Sequence, residues 1–239
     1  MSRIEDALRK AGDQPDAAFL EEDDRLPLLH EESVREGGYL KDVCTNFQVA
    51  LLGAEKPAIM FASARPGEGV STILFHVSKI IAQDKRTLII DFNFLNPWMH
   101  KFFQLDNIRG LSDVITGKKT LTECIHHTDT ENLDILPCGP TAAAAFKILG
   151  ADPVQAVLDN CKANYDLVLV DSPALRKFPD TAILASACDG VVLVVRARKT
   201  KREIIQYAQG LLNQAGAKQL GVILNRVKFW IPEFIYKRL

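Results

Sequence analysis

Six short apolar runs most constrain what this chain can fold into. They read AIMFAS (58–63), TLIIDF (87–92), LDILPC (133–138), LVLVDS (167–172), VVLVV (191–195) and LGVILN (220–225). Each run is too short for a buried helix, rich in β-branched residues and continuous rather than alternating, the pattern of a strand covered on both faces. Between most of them lie amphipathic stretches, at about 70–83, 153–163, 178–187 and 200–215, that predict helices. Strand and helix in alternation predict an α/β fold, a doubly wound, mostly parallel sheet in a Rossmann-like three-layer architecture. In such sheets ligands bind beyond the carboxyl ends of the strands.

With 239 residues, 47% of them hydrophobic, the chain fills one such domain and leaves little for a second. The domain is expected at 39–228. Ahead of it, Ile4, Ala7, Leu8 and Ala11 make one apolar stripe on a short helix (1–12) that needs a surface to dock on, its own domain or a partner. Residues 13–38 read as an acidic linker, with nine acidic and two basic residues from Asp13 to Glu36. Behind the domain, 229–239 gathers Phe229, Trp230, Ile231, Phe234, Ile235 and Tyr236 beside Lys237 and Arg238. That tail either packs back on the domain or anchors to a protein or a membrane surface.

The formal net charge of −1 carries no field suited to nucleic acid, which is excluded as a partner. Cys44, Cys124, Cys138, Cys161 and Cys188 lack zinc-ligand spacing and predict reduced, buried thiols of a cytoplasmic protein. No apolar run reaches membrane-spanning length, and MSRIEDALRK lacks the apolar core of a signal peptide, so a soluble protein is expected.

The first run leads into ASARPGEGVST (62–72), a strand, a glycine-bearing turn and a helix start. Gly67 and Gly69 let backbone N–H groups converge on phosphate oxygens where the helix N-terminus adds its partial positive charge. In this loop Ser71 is placed to ligate Mg²⁺ and Thr72 to bond an inner phosphate. Val70 stands where a phosphate loop carries lysine, removing a charge-assisted contact of about 1.5–3 kcal/mol in binding and more in phosphoryl transfer. Arg65 either contacts phosphate in its place or is a solvated loop residue. A glycine turn without any ligand is the competing reading of the whole loop, Glu68 included.

Asp91 and Asp171 end two further strands, where carboxylates hold Mg²⁺ or polarise a nucleophile; alone, either is also a turn or cap residue. His126 and His127, next to Asp129 and Glu131, do not make a metal site, because adjacent residues in a loop point apart.

The order PGEGVST, LIIDFNF, YDLVLVDSP, ACDGVVLVVR and LGVILNRV resembles the bacterial protein-tyrosine kinases of capsule and exopolysaccharide synthesis. These belong to a wider group of cell-division and chromosome-partition P-loop NTPases. The resemblance covers roughly 39–228, and MSRIEDALRKAG resembles the start of variants encoded with exopolysaccharide and exosortase systems. It implies ATP or ADP with Mg²⁺ as ligands. Asn225 falls on an asparagine that reads the purine in relatives, unless it is a polar cap, and Asp171 falls on the Walker B aspartate.

Several positions depart from that pattern. The loop lysine falls on Val70; the second motif keeps Asp91 but holds Asn93 and Leu95 for its second acid and its arginine. The ring-assembly motif before Thr45-Asn46 falls on Gly38, Lys41 and Cys44, and Tyr236 alone stands where active kinases carry a tyrosine cluster. An amide is no base and leucine offers no phosphate contact. These departures predict a regulatory or adaptor component of polysaccharide export with weak or no turnover, at the inner face of the membrane through a partner. The resemblance implies a membrane polysaccharide co-polymerase or an active kinase paralogue as that partner, and leaves a homo-oligomer open. Two alternatives stand: a weak ATPase or tyrosine kinase using Arg65 or a neighbour's lysine, with Asp91 as its catalytic candidate, and a nucleotide sensor without turnover.

Overall fold

The computed structural model describes residues 40, 43–45, 49, 53–140, 151–178 and 181–227. The expected N-terminal helix, the acidic linker and the aromatic tail lie outside the described residues, as do Gly38, Lys41 and Tyr236.

Seven strands form one sheet: β1 (Ala58–Ser63), β2 (Thr87–Asp91), β3 (His126–His127), β4 (Leu133–Leu136), β5 (Leu167–Asp171), β6 (Gly190–Arg196) and β7 (Gln219–Asn225). Their order is β3-β4-β2-β5-β1-β6-β7. Every pairing is parallel except that of β3 with β4. All of β1, β2, β4 and β5 is buried, as continuous apolar runs require when both faces are covered.

Among the described residues, the helices with defined bounds are α1 (Val70–Ile81), α2 (Met99–Phe102), α3 (Leu111–Ile115), α4 (Leu121–Cys124), α5 (Ala151–Asn164), α6 (Thr181–Ala187) and α7 (Arg202–Gln214). Two apolar cores result, one on each face of the sheet. Met60, Leu88, Ile90, Val170 and Leu193 meet α5, α6 and α7 through Val154, Leu158, Leu184, Ala208 and Leu212. On the other face Ile59, Phe61, Ile89 and Leu169 meet α1 through Val70, Leu74, Val77 and Ile81. The three-layer α/β architecture is therefore the one the strand pattern predicts. All five cysteines are buried, free thiols.

The run at 133–138 is shorter as a strand than its apolar length suggests. β4 stops at Leu136 because Pro137 has no N–H for the ladder. Beyond it, the carbonyls of Pro137 and Cys138 accept from Leu111 and Ser112 (both 2.8 Å), and the Cys138 thiol donates to the Asp91 carbonyl at 2.9 Å. The expected helices at 70–83, 178–187 and 200–215 also shorten, to 70–81, 181–187 and 202–214, whereas 153–163 extends to 151–164.

A candidate nucleotide site at the carboxyl edge of the sheet

β1 ends at Ser63, and the next six residues turn the chain into α1. Gly67 and Gly69 take φ of 77° and 94°, in the left-handed region that glycine enters at little cost, and Gly69 caps α1. Glu68 between them is buried, its carboxylate turned into the loop. Oε2 accepts from the Ala64 and Arg65 N–H groups at 2.9 and 3.0 Å, and Oε1 accepts from the Thr200 hydroxyl in the β6–α7 connection. Asn225, last in β7, donates through Nδ2 to the Glu68 carbonyl at 2.8 Å. The sequence thus brings a loop, a connection 132 residues later and a strand end onto one residue, the first two through its carboxylate and the last through its carbonyl.

Val70 is the first residue of α1 and is 8% exposed, packed into the core with Ile59, Phe61 and Leu74. Arg65 is exposed, while Ser71 and Thr72 are half-buried. The Ser71 hydroxyl donates to Asp171 Oδ2 at 2.6 Å.

Asp91 and Asp171 end adjacent parallel strands and are register partners, both fully buried. The Asp91 oxygens accept from the backbone N–H groups of Asn93 (2.9 Å) and Met99 (3.2 Å), so this carboxylate ties down the loop entering α2. Asp171 Oδ1 is buried with no hydrogen-bond partner. Burial pushes the Asp91 carboxyl up to about 6 against the hydrogen bonds it accepts. Burial, then the Asp91 charge beside it, raises Asp171 well above the usual carboxylate range. No ion pair with a described cation offsets either one.

An orphaned carboxylate oxygen beside a bonded hydroxyl, under a glycine loop opening a helix, fits a divalent cation with phosphate. Ser71 and Asp171 would hold the metal and the loop N–H groups the phosphates. A bound metal would supply charge neutralisation at the leaving oxygens. Both Asp91 oxygens already accept backbone N–H groups, which gives that residue a structural task. Asn93 is half-buried and Leu95 is 42% exposed, so no second acid or cation reaches the pair from these two positions.

Residues 57–212 match the AAA domain family. Over 204 residues the chain is 31% identical to the tyrosine-protein kinase YwqD of Bacillus subtilis, a match covering 85% of this chain and 86% of that one. The chain belongs to the bacterial tyrosine-kinase family of P-loop ATPases. It is also 32% identical over 191 residues to the tyrosine-protein kinase CpsD of Streptococcus agalactiae, covering 79% of this chain and 82% of that one. Among solved structures, the chimerical protein CapA2B2 aligns with a TM-score of 0.74 and 28% identity over 80% of this chain and 84% of its own. The septum site-determining protein MinD of Pyrococcus horikoshii, complexed with Mg-ADP, shares the fold, with a TM-score of 0.61, 23% identity and coverage of 76% of each chain. Within that family's architecture, this chain carries Val70 at the start of the helix that follows the loop, and Asn93 and Leu95 after the second strand.

Sequence reasoning placed Glu68 among the loop residues without a task for its carboxylate and did not select Thr200. The only sequence signal is a carboxylate between two glycines, too exposed a setting in most turns to suggest burial. His126 and His127 form β3; His126 Nε2 accepts from Arg109 at 3.3 Å and His127 Nδ1 meets Asp134 at 2.6 Å. Among the described residues no group of three metal-type side chains converges.

Proposed function

We propose that this chain is a tyrosine-kinase-family protein that has lost efficient phosphoryl transfer and serves as a regulatory or adaptor component of capsule or exopolysaccharide synthesis. The observation that carries the reading is the pairing of a core-packed Val70 with two buried carboxylates that no described cation neutralises. Phosphoryl transfer builds charge at the outer phosphate, and a loop that offers only N–H dipoles there stabilises it poorly. The chain's own residues still perform three tasks in this reading. Gly67 and Gly69 shape the loop, Ser71 and Asp171 with Thr72 on an inner phosphate hold a metal–phosphate group, and Glu68 with Asn225 fixes the loop's far side.

A second reading, a weak ATPase or tyrosine kinase of the same pathway, is favoured by the orphaned Asp171 oxygen, which retains a place for Mg²⁺. Calorimetry with ATP, ADP and Mg²⁺, alongside an ADP-release assay, separates the two. The adaptor reading expects Kd values well above micromolar and no turnover above background. Submicromolar, Mg²⁺-dependent ATP binding with measurable hydrolysis would sink it.

A partner in the membrane, a polysaccharide co-polymerase or an active kinase paralogue, belongs to the same reading. Its support is that the 189 residues matched in the tyrosine-protein kinase wzc of Salmonella typhimurium span only 26% of that protein, so there the kinase region is joined to much additional chain. Here no helix among the described residues is long and apolar enough to cross a membrane. Residues 1–12 and 229–239 are the proposed contact elements flanking the 39–228 domain. Pull-downs with and without 1–38 and 229–239 would assign the contact.

A further inference from the structure

The carboxyl ends of β1, β6 and β7 lie side by side, with Ser63 paired to Val194 and Arg196 to Asn225. The connection leaving β6 at that edge reads Arg196-Ala197-Arg198-Lys199-Thr200-Lys201-Arg202, five cations in seven residues of a chain whose formal net charge is −1. Arg198, Lys199, Lys201 and Arg202 are exposed, and Arg65 after β1 and Arg226 after β7 are exposed on the same edge. Lys199, Lys201, Arg202 and Arg226 form no ion pair with a described residue. Of the nearby acids, Glu68 is buried and already bonded, and Glu203 is a single exposed carboxylate in the first turn of α7. The connection is fixed in place, since Thr200 bonds Glu68 and the Ala197 N–H donates to the Asn225 carbonyl at 2.9 Å.

Apolar surface adjoins this charge. β7 is an edge strand, and Val222 and Leu224, on the face where Leu193 and Val195 meet the α7 core, are 52% and 57% exposed. Val227 is exposed too, and the sequence after it continues Lys228-Phe229-Trp230-Ile231 and ends Tyr236-Lys237-Arg238-Leu239. Cations interleaved with aromatic and aliphatic side chains are the composition of the water–lipid boundary, and clusters of four to eight Lys and Arg attract anionic headgroups.

We propose that the rim formed by residues 196–202 and Arg226 is a docking surface for the anionic headgroups of a membrane, reinforced by the apolar edge of β7. This is a direct lipid contact, distinct from attachment through a protein partner. A nucleotide accounts for fewer of the residues, because phosphates on the glycine loop leave Lys199, Lys201, Val222 and Leu224 without a task. An acidic peptide matches the charges but not the cation–aromatic run that continues from Val227.

The test is co-sedimentation of the full chain with phosphatidylcholine vesicles and with vesicles of equal parts phosphatidylcholine and phosphatidylglycerol. Binding is expected only to the anionic vesicles, weakening tenfold or more between about 50 and 500 mM salt as the charges are screened. Lys199→Glu, Lys201→Glu and Arg202→Glu together should reduce it tenfold or more. Lys56→Glu, Lys85→Glu and Lys218→Glu, the same charge change at the amino ends of β1, β2 and β7, should leave it intact. Melting curves check both proteins, and Lys199→Gln with Lys201→Gln is the milder variant if the first fails to fold. No vesicle binding, or equal weakening by both charge reversals, would overturn the proposal. So would a rim variant that loses ATP–Mg²⁺ affinity while vesicle binding stays unchanged, or a chain that binds polyglutamate but ignores the vesicles.

Discussion

Val70 is where a single side chain decides what the loop can do. Its isopropyl group is apolar filler between α1 and β1, and the charge that a lysine would bring is replaced by packing against Ile59 and Phe61. A lysine there would begin one residue from Ser71, which already touches Asp171, and would add a cation to a loop that otherwise offers phosphate only N–H groups and hydroxyls. Val70→Lys is therefore expected to raise ATP affinity about tenfold or more, the equivalent of a charge-assisted contact of about 1.5–3 kcal/mol. Lost apolar burial should make the nucleotide-free variant slightly less stable. Calorimetry on both proteins at one Mg²⁺ concentration makes the comparison. Unchanged affinity would mean that the loop is not shaped for phosphate.

The loop as an element rests on a close approach between Gly69 and Asn225. A Cβ on Gly69 would lie 2.3 Å from Asn225 Nδ2, whereas one on Gly67 would meet nothing within 4 Å, although both glycines have positive φ. Gly67→Ala should cost the left-handed strain alone, about 1–2 kcal/mol. Gly69→Ala should cost about 1 kcal/mol more, because Asn225 must leave the Glu68 carbonyl. Urea unfolding of the two variants reads the difference, and equal costs would deny Asn225 its role in bracing the loop. This bracing was not legible in the sequence, since Glu68, Thr200 and Asn225 meet only after β1, β6 and β7 align. The six apolar runs, by contrast, announced their strands because burial on both faces leaves a continuous signal. β3 was hidden by being two histidines long, and α2, α3 and α4 by having four or five residues, too few for a helical period. Such pieces are fixed by specific bonds instead, as when Asp113 accepts from the Gly110 N–H at 3.0 Å and Glu123 from the Thr120 N–H at 2.8 Å.

At the scale of the whole molecule, the Asp91–Asp171 pair sits at the junction of β2 and β5 in the middle of the sheet, so its protonation bears on global stability. Both carboxyls are raised in the folded state, so the folded chain holds protons that the unfolded chain releases. The resulting stability is fully present below the unfolded value near 3.8 and is lost as pH rises, for Asp91 through about 6 and for Asp171 higher still. Asp171→Asn keeps an oxygen to accept from Ser71 and removes one charge from the pair. It should therefore flatten the decline, so that its stability gains on that of the native chain steadily as pH rises from 5 to 8. Denaturant midpoints from pH 5 to 8 on both proteins would test this, and parallel profiles would refute it. A gain in stability on removing a carboxylate from the centre of the sheet would mark the pair as one retained for ligand rather than for fold.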